Sequence, residues 1–194
     1  VLYQRNFNDI MTDESFSNIW LIDYDGTNNR PITTGNFKDN SPKWSNKGDK
    51  FIFKSNREGK SQIFLFDLNN SSIQKLTNFQ YSIESTQWSP DDNYILFSSF
   101  IDSERDALIE MPDKPKGAKW NDPPVEISDL NYRYDSSGFR KPGEVQFFTI
   151  PINGGTPRQI SNIKPEKRAG HAEWLGNDKI IFSANLNDDS DYNT

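Results

Sequence analysis

Trp44-Ser45-Asn46-Lys47-Gly48-Asp49-Lys50-Phe51-Ile52-Phe53-Lys54-Ser55 decides the fold, because the chain writes it again. The second copy is Trp88-Ser89-Pro90-Asp91-Asp92-Asn93-Tyr94-Ile95-Leu96-Phe97-Ser98-Ser99, and a third is Trp174-Leu175-Gly176-Asn177-Asp178-Lys179-Ile180-Ile181-Phe182-Ser183. Trp44 and Trp88 lie 44 residues apart, and Trp174 follows after 86, close to two further periods. A second unit alternates with the first. It reads Asn18-Ile19-Trp20-Leu21-Ile22-Asp23 with Pro31-Ile32-Thr33, then Gln62-Ile63-Phe64-Leu65-Phe66-Asp67 with Lys75-Leu76-Thr77. Its third copy is Val145-Gln146-Phe147-Phe148-Thr149-Ile150 with Gln159-Ile160-Ser161. Asp23 to Asp67 is again 44 residues. Two unrelated markers that keep one spacing mark an internal repeat.

Each piece has a local reading. Phe51-Ile52-Phe53 and Ile95-Leu96-Phe97 are short β-rich runs preceded by polar turns. Pro90-Asp91 suits a tight turn, and Asp25-Gly26 and Asn153-Gly154 are hairpin dipeptides. One period therefore supplies about four short strands joined by hairpins. A repeat of ~40–50 residues with that content is a β-propeller blade. The expected fold is all-β, a partial propeller of four-stranded antiparallel blades, TolB- or WD40-like. The repeat units fall at about 1–55, 56–99, 100–143 and 144–194, all within one propeller domain. The unit 100–143 breaks the pattern: Pro112, Pro115, Gly117, Pro123 and Pro124 argue for an irregular excursion. An elaborated blade edge is favoured there over a degenerate fourth repeat, with a strand over 125–134 and a turn at 135–138.

Composition agrees and removes several function classes. The 194 residues are 33% hydrophobic and 13% aromatic, and aromatic content of that order speaks for a packed chain over a disordered one. No apolar run reaches the ~18 residues of a spanning helix, and no n-region or apolar stretch of a signal peptide opens the chain. A net charge of −6 without a basic stripe speaks against nucleic acid. No Cys is present, which excludes a disulfide framework and Cys-ligated metal. The start at Val1 and the polar tail Asn185–Thr194 read as cuts in a longer protein.

The alternating pattern resembles the propeller repeat of TolB-type periplasmic proteins and of prolyl oligopeptidase-family serine peptidases. Ser55-Asn56-Arg57-Glu58-Gly59 resembles the Ser-x-Arg-x-Gly of both groups. Three further stretches resemble the acylaminoacyl-peptidase-like branch. They are Pro115–Trp120 with Pro123-Pro124-Val125, Tyr132–Phe139, and Ile152-Asn153-Gly154-Gly155-Thr156-Pro157-Arg158-Gln159-Ile160-Ser161. Lys47-Gly48 and Asp92-Asn93 vary the usual Asp-Gly turn, and the third copy lacks Ser-Pro. The resemblance implies partners: a downstream α/β-hydrolase domain on the same chain and a peptide substrate, with self-association of the parent an option. It places the parent in the cytoplasm or the bacterial periplasm without choosing. The runner-up is a TolB-like scaffold that binds a protein and catalyses nothing.

No catalytic, cofactor-binding or metal-ligating residue is assigned to this stretch. Gly-x-Ser-x-Gly is absent, and His171, the single His, reads as a strand-edge or interface residue. Asp23-x-Asp25-Gly26 has Thr34 where a calcium loop of EF-hand type needs Glu, so it reads as a hairpin turn, and Asp188–Asp191 as a solvated loop. The overlapping sequons of Asn69-Asn70-Ser71-Ser72 read as a polar turn. The resemblance implies that a few Arg or Glu of the blade loops line the central chamber and hold a substrate terminus, with none of Arg57, Arg105, Arg133, Arg140 and Arg168 singled out; Arg57 is expected instead to pair with a blade Asp. Trp44, Trp88 and Trp174 are expected in the packing between blades.

Overall fold

A computed structural model describes residues 1–103, 112–121, 127, 132–135, 138–164 and 167–187, with Tyr134 and Arg168 described by backbone alone. The chain is all-β and its sheets stack as blades. The first blade holds β1 (Leu2–Asp9), β2 (Glu14–Leu21) and β3 (Arg30–Pro31) in the order β1-β2-β3. The second holds β4 (Asn40–Trp44), β5 (Lys50–Ser55), β6 (Gln62–Asp67) and β7 (Ser72–Lys75), again in chain order. In the third, β8 (Ile83–Trp88) and β9 (Tyr94–Asp102) are followed by β12 (Gly143–Pro151) and β13 (Arg158–Gln159), in the order β8-β9-β12-β13. Between them β10 (Arg133–Tyr134) and β11 (Gly138–Phe139) make a small hairpin, and β14 (Arg168–Leu175) pairs with β15 (Lys179–Asn185) to begin a fourth blade. The sequence units are offset from the sheets: β5 closes the unit 1–55 and β6 opens 56–99, yet the two pair along their whole length.

Alternation explains why the blades must stack. Along β5, Phe51 and Phe53 point to one side and Ile52 to the other, and all three are fully buried. Phe51, Phe53, Phe64 and Phe66 pack with Ile19 of the first blade. Ile52, Ile63, Leu65 and Leu76 pack against Trp88, Ile95, Phe97, Phe148 and Ile150 of the third. Leu96 and Phe147, on the third blade's other face, meet Ala172 of β14. A sheet apolar on both faces is stable only between neighbours. Cross-strand rings add to this: Phe51 stacks on Phe66 at 5.0 Å and Phe97 on Phe148 at 5.3 Å between centroids.

The irregular unit has a definite place. Strands β9 and β12 are neighbours, and Asp102 faces Gly143 in their register. Residues 103–142 therefore leave from and return to one point, between the second and third strands of the third blade. Gly143 has φ 142°, and a Cβ there would lie 2.4 Å from the Ile101 carbonyl oxygen, so the return point needs glycine. Of the strand expected over 125–134, Arg133–Tyr134 is strand and most of the rest lies outside the described residues.

Candidate functional site

The repeated positions carry a repeated hydrogen-bond system. Thr33, Thr77 and Ser161 follow the short outer strand of each blade, where the ladder stops. Their hydroxyls take over its next acceptor, receiving the N–H of Ile19 at 2.9 Å, of Ile63 at 3.0 Å and of Phe147 at 2.8 Å. Gln62 accepts from Thr77 Oγ1 and Phe79 N and donates to Phe79 O; Gln146 accepts from Ser161 Oγ and Ile163 N and donates to Ile163 O. These glutamines fasten the turn that leads to the next blade. Thr33, Thr77 and Ser161 recur in the sequence repeat, but their role needs the strand pairing to be seen.

Ser45 and Ser89 are buried and close the inner hairpins. Ser45 Oγ accepts from Lys50 N, and Ser89 Oγ from Tyr94 N, both across the turn. The two departures from Asp-Gly are explained by backbone shape. Gly48 and Asp92 hold one position with φ 74° and 61°, a left-handed conformation that Asp tolerates. In the third copy the turn is one residue shorter: Trp44 faces Phe51 and Trp88 faces Ile95, seven residues on, whereas Trp174 faces Ile180, six on.

Arg57 pairs with Asp39, whose carboxylate is fully buried, at 2.9 and 2.8 Å to its two oxygens. Its guanidinium also lies over Phe37, Phe53 and Phe64, at 4.9–5.4 Å from the ring centroids. The pair ties the entry of β4 to the end of β5. Arg140 reaches Glu144 at 3.4 Å, Arg133 lies exposed on β10, and Arg105 lies outside the described residues.

The seams between blades differ. Between the second and third, Trp88 Nε1 donates to Lys43 O at 2.9 Å. Asn46 N and Nδ2 donate to Asp92 Oδ1 at 2.7 and 2.8 Å, and Asn46 Nδ2 also to Ser89 O. Lys43 and Lys54 cap the carbonyls of Thr86 and Glu84 on the free edge of β8. At the next seam Pro90 stands in the place of Asn46 and offers neither N–H nor amide, and Trp174 Nε1 is buried without a partner among the described residues. Trp88 is buried, while Trp44 and Trp174 are half-buried against the cores at their seams. All three recurring Trp therefore serve packing.

Two clefts follow the seams. One, of about 360 Å³, is lined by Lys47, Asp49, Lys50, Asp67 and Asp92. Its charges serve one another, Lys50 standing 3.0 Å from Asp49 and 3.7 Å from Asp67. The Lys50 hydrogen bond, with help from Ser45, holds the Asp49 carboxyl below its ordinary value. The other, of about 580 Å³, lies between β12–β13 and β14–β15 and is lined by Tyr94, Arg158, Trp174, Asp178 and Phe182. His171 is exposed on β14, with its imidazole 3.2 Å from Glu173 Oε1, and no activated nucleophile stands against it among the described residues. Asp25 accepts from Thr27 N and Oγ1, bonds that lower its carboxyl below the usual range, and Asp23 accepts from Asn28. Both Asp serve their turn. Asn69 to Ser71 lie in the exposed turn between β6 and β7 and Ser72 opens β7, while Asp188–Asp191 lie outside the described residues. No group of His, Cys, Asp and Glu that could hold a metal occurs among the described residues.

Stacked, four-stranded, repeat-encoded blades define a β-propeller protein, and the described residues form an open run of its blades. Residues 8–115 match the model of the TolB beta propeller domain, and the chain belongs to that family. It is 26% identical over 184 residues to the uncharacterized peptidase YuxL of Bacillus subtilis, covering 92% of this chain and 27% of that protein. It is 29% identical over 102 residues to the TolB homolog of Chlamydia abortus, covering 52% of this chain and 24% of that one. Among solved structures, the acylaminoacyl peptidase of Pyrococcus horikoshii superposes with a TM-score of 0.68 at 19% identity, over 93% of this chain and 25% of that one; this shows the fold. The chain spans about a quarter of the length of these proteins.

Proposed function

We propose that this chain is the non-catalytic propeller segment of a serine peptidase of the acylaminoacyl-peptidase type. In this reading a downstream α/β-hydrolase domain of the same protein cuts peptides or acylated peptides, and the propeller limits which peptides reach it. The observation that carries the reading is the extent of the likeness. The peptidase relative aligns over 184 residues, through the excursion at 103–142 and into the fourth blade, whereas the TolB homolog aligns over 102. A blade pattern alone would match both equally. The lack of a nucleophile elbow in these residues fits a segment whose chemistry is done elsewhere in the protein.

The test is made on the full-length gene product. A fluorophosphonate should label it on one Ser downstream of residue 194, and replacing that Ser should abolish both labelling and turnover of an acyl-amino-acid anilide. The 194 residues alone should turn over none. Absence of any labelled Ser in the full-length protein overturns the reading and favours a binding scaffold of TolB type.

A further inference from the structure

Asn153-Gly154 is the one Asn-Gly pair in the chain. It lies in the exposed connection from β12 to β13. Gly154 N donates to Pro151 O at 2.9 Å, and Ile152 N donates to Asn93 O at 2.9 Å. Gly154 and Gly155 take φ 85° and 123°. A Cβ at Gly154 would meet nothing closer than Gln74 Nε2, at 3.9 Å, and one at Gly155 nothing within 4 Å. Asn153 is exposed, and its carboxamide has no hydrogen-bond partner among the described residues. Comparable pairs are held. Asn40, before Ser41, is half-buried; its Nδ2 donates to Lys38 O at 3.0 Å and its Oδ1 accepts from Ser41 Oγ at 3.1 Å. Asn70, before Ser71, accepts from Ser72 N at 3.0 Å. Asp25, before Gly26, accepts from Thr27 N and Oγ1, which keeps it ionised and a poor electrophile. Of these four side chains, Asn153 combines a free carboxamide with a following nitrogen that no Cβ shields.

We propose that Asn153-Gly154 is a site of spontaneous covalent change, converting to aspartate and isoaspartate in the folded protein without an enzyme. Gly154 N gives its proton to hydroxide and attacks Asn153 Cγ. The N–Cγ bond forms, the Cγ–Nδ2 bond breaks, and Nδ2 takes a proton from water and leaves as ammonia. The product is a cyclic succinimide. Water then opens the ring at either carbonyl. Attack at Cγ leaves aspartate at position 153. Attack at the main-chain carbonyl carbon leaves isoaspartate, whose backbone runs on through Cγ. Water is the net co-reactant, and nothing is oxidised or reduced.

The position gives the change a consequence. Asn153 lines the cleft between the second and third blades together with Asp67 and Asp92. Asp92 accepts the seam's hydrogen bonds from Asn46 and from Lys47 N, and Lys50 already serves Asp49 and Asp67. Either product sets a new carboxylate in that cleft. Isoaspartate also adds a carbon to the backbone between Ile152, which is anchored on Asn93, and Gly154, so the bond from Gly154 N to Pro151 O loses its register.

The test incubates the full-length protein at pH 6 and at pH 8, both folded and unfolded in guanidinium chloride. Its peptides are then mapped by mass, with isoaspartate resolved from aspartate by chromatography. Folded Asn153 is expected to give both products at least ~10-fold faster than Asn40 or Asn70, because the serine Cβ crowds the attacking nitrogen there. Conversion is expected to be faster at pH 8, because that nitrogen must lose its proton. Asn153→Gln, which alters an exposed side chain without a partner, should abolish it, since the ring would need one more atom. Conversion confined to the unfolded protein would mean that the Pro151 bond locks the turn, and overturns the proposal. So does folded Asn153 converting no faster than Asn40 or Asn70, and so does aspartate without isoaspartate, the outcome of direct hydrolysis. The isolated isoaspartate form should unfold at a lower urea midpoint than fresh protein; an unchanged midpoint would refute the effect on the seam.

Discussion

The Arg57–Asp39 pair offers the sharpest test of the blade architecture. Arg57→Met keeps an unbranched apolar stem across Phe53 and Phe64 and removes the guanidinium. It leaves the fully buried Asp39 carboxylate without the two donor contacts at 2.9 and 2.8 Å. Removing one partner of a buried pair costs about 3–5 kcal/mol, because the remaining charge stays desolvated and uncompensated. The upper half of that range is expected, since Asp39 has no exposed surface and Arg57 is only 19% exposed. Replacing both residues removes the stranded charge, so Arg57→Met/Asp39→Leu should recover at least ~2 kcal/mol of the loss despite being the larger change. The assay is urea unfolding followed by Trp fluorescence, with stabilities compared at constant m. A loss below ~1 kcal/mol for Arg57→Met would refute the claim that this pair organises the blade. So would a double variant whose loss equals the sum of the singles.

Two other expectations follow from single contacts. Thr77→Val keeps the shape of a fully buried side chain but deprives Ile63 N–H of its acceptor, and should cost about 1–3 kcal/mol, while Thr77→Ser, which keeps the hydroxyl, should cost less; equal losses would show that the methyl matters and the hydroxyl does not. Glu84 keeps an exposed face on β8, yet the water displaced around its carboxyl holds it above its ordinary value against the pull of Lys54, so its neutral form is favoured in the fold and stability is lost as pH rises through the folded value. Glu84→Gln should therefore gain on the wild type in unfolding experiments between pH 4 and pH 7, and a difference that stays flat with pH would rule burial out as the cause.

The periodicity of the chain was enough to reach the propeller, because each blade repeats the same solution to the same problem. Phe51-Ile52-Phe53 must be buried on both sides, and the turn before it must be tight, so the residue types recur wherever the blade recurs. The pairing of Arg57 with a blade Asp was legible for the same reason. Asp39 as the partner was not, because 18 positions and two strands, β4 and β5, separate the two. The roles of Thr77 and Ser161 were hidden too. A hydroxyl after a short strand looks like a turn residue until the missing ladder partner is seen.

Sequence by itself determined the repeat and the strand content, since these depend on residue type and spacing along the chain. Tertiary structure alone decided which strands close into one sheet. The units read at 1–55 and 56–99 divide β5 from β6, which hydrogen bonding joins. It also decided that 103–142 departs from between β9 and β12, because that requires knowing that Asp102 and Gly143 stand opposite each other. Finally, it decided that one seam is latched by Asn46 and Asp92 while the next has Pro90 in that place. Spacing along a chain is one-dimensional. Which edges meet, and which polar groups find partners there, is settled only when the blades are stacked.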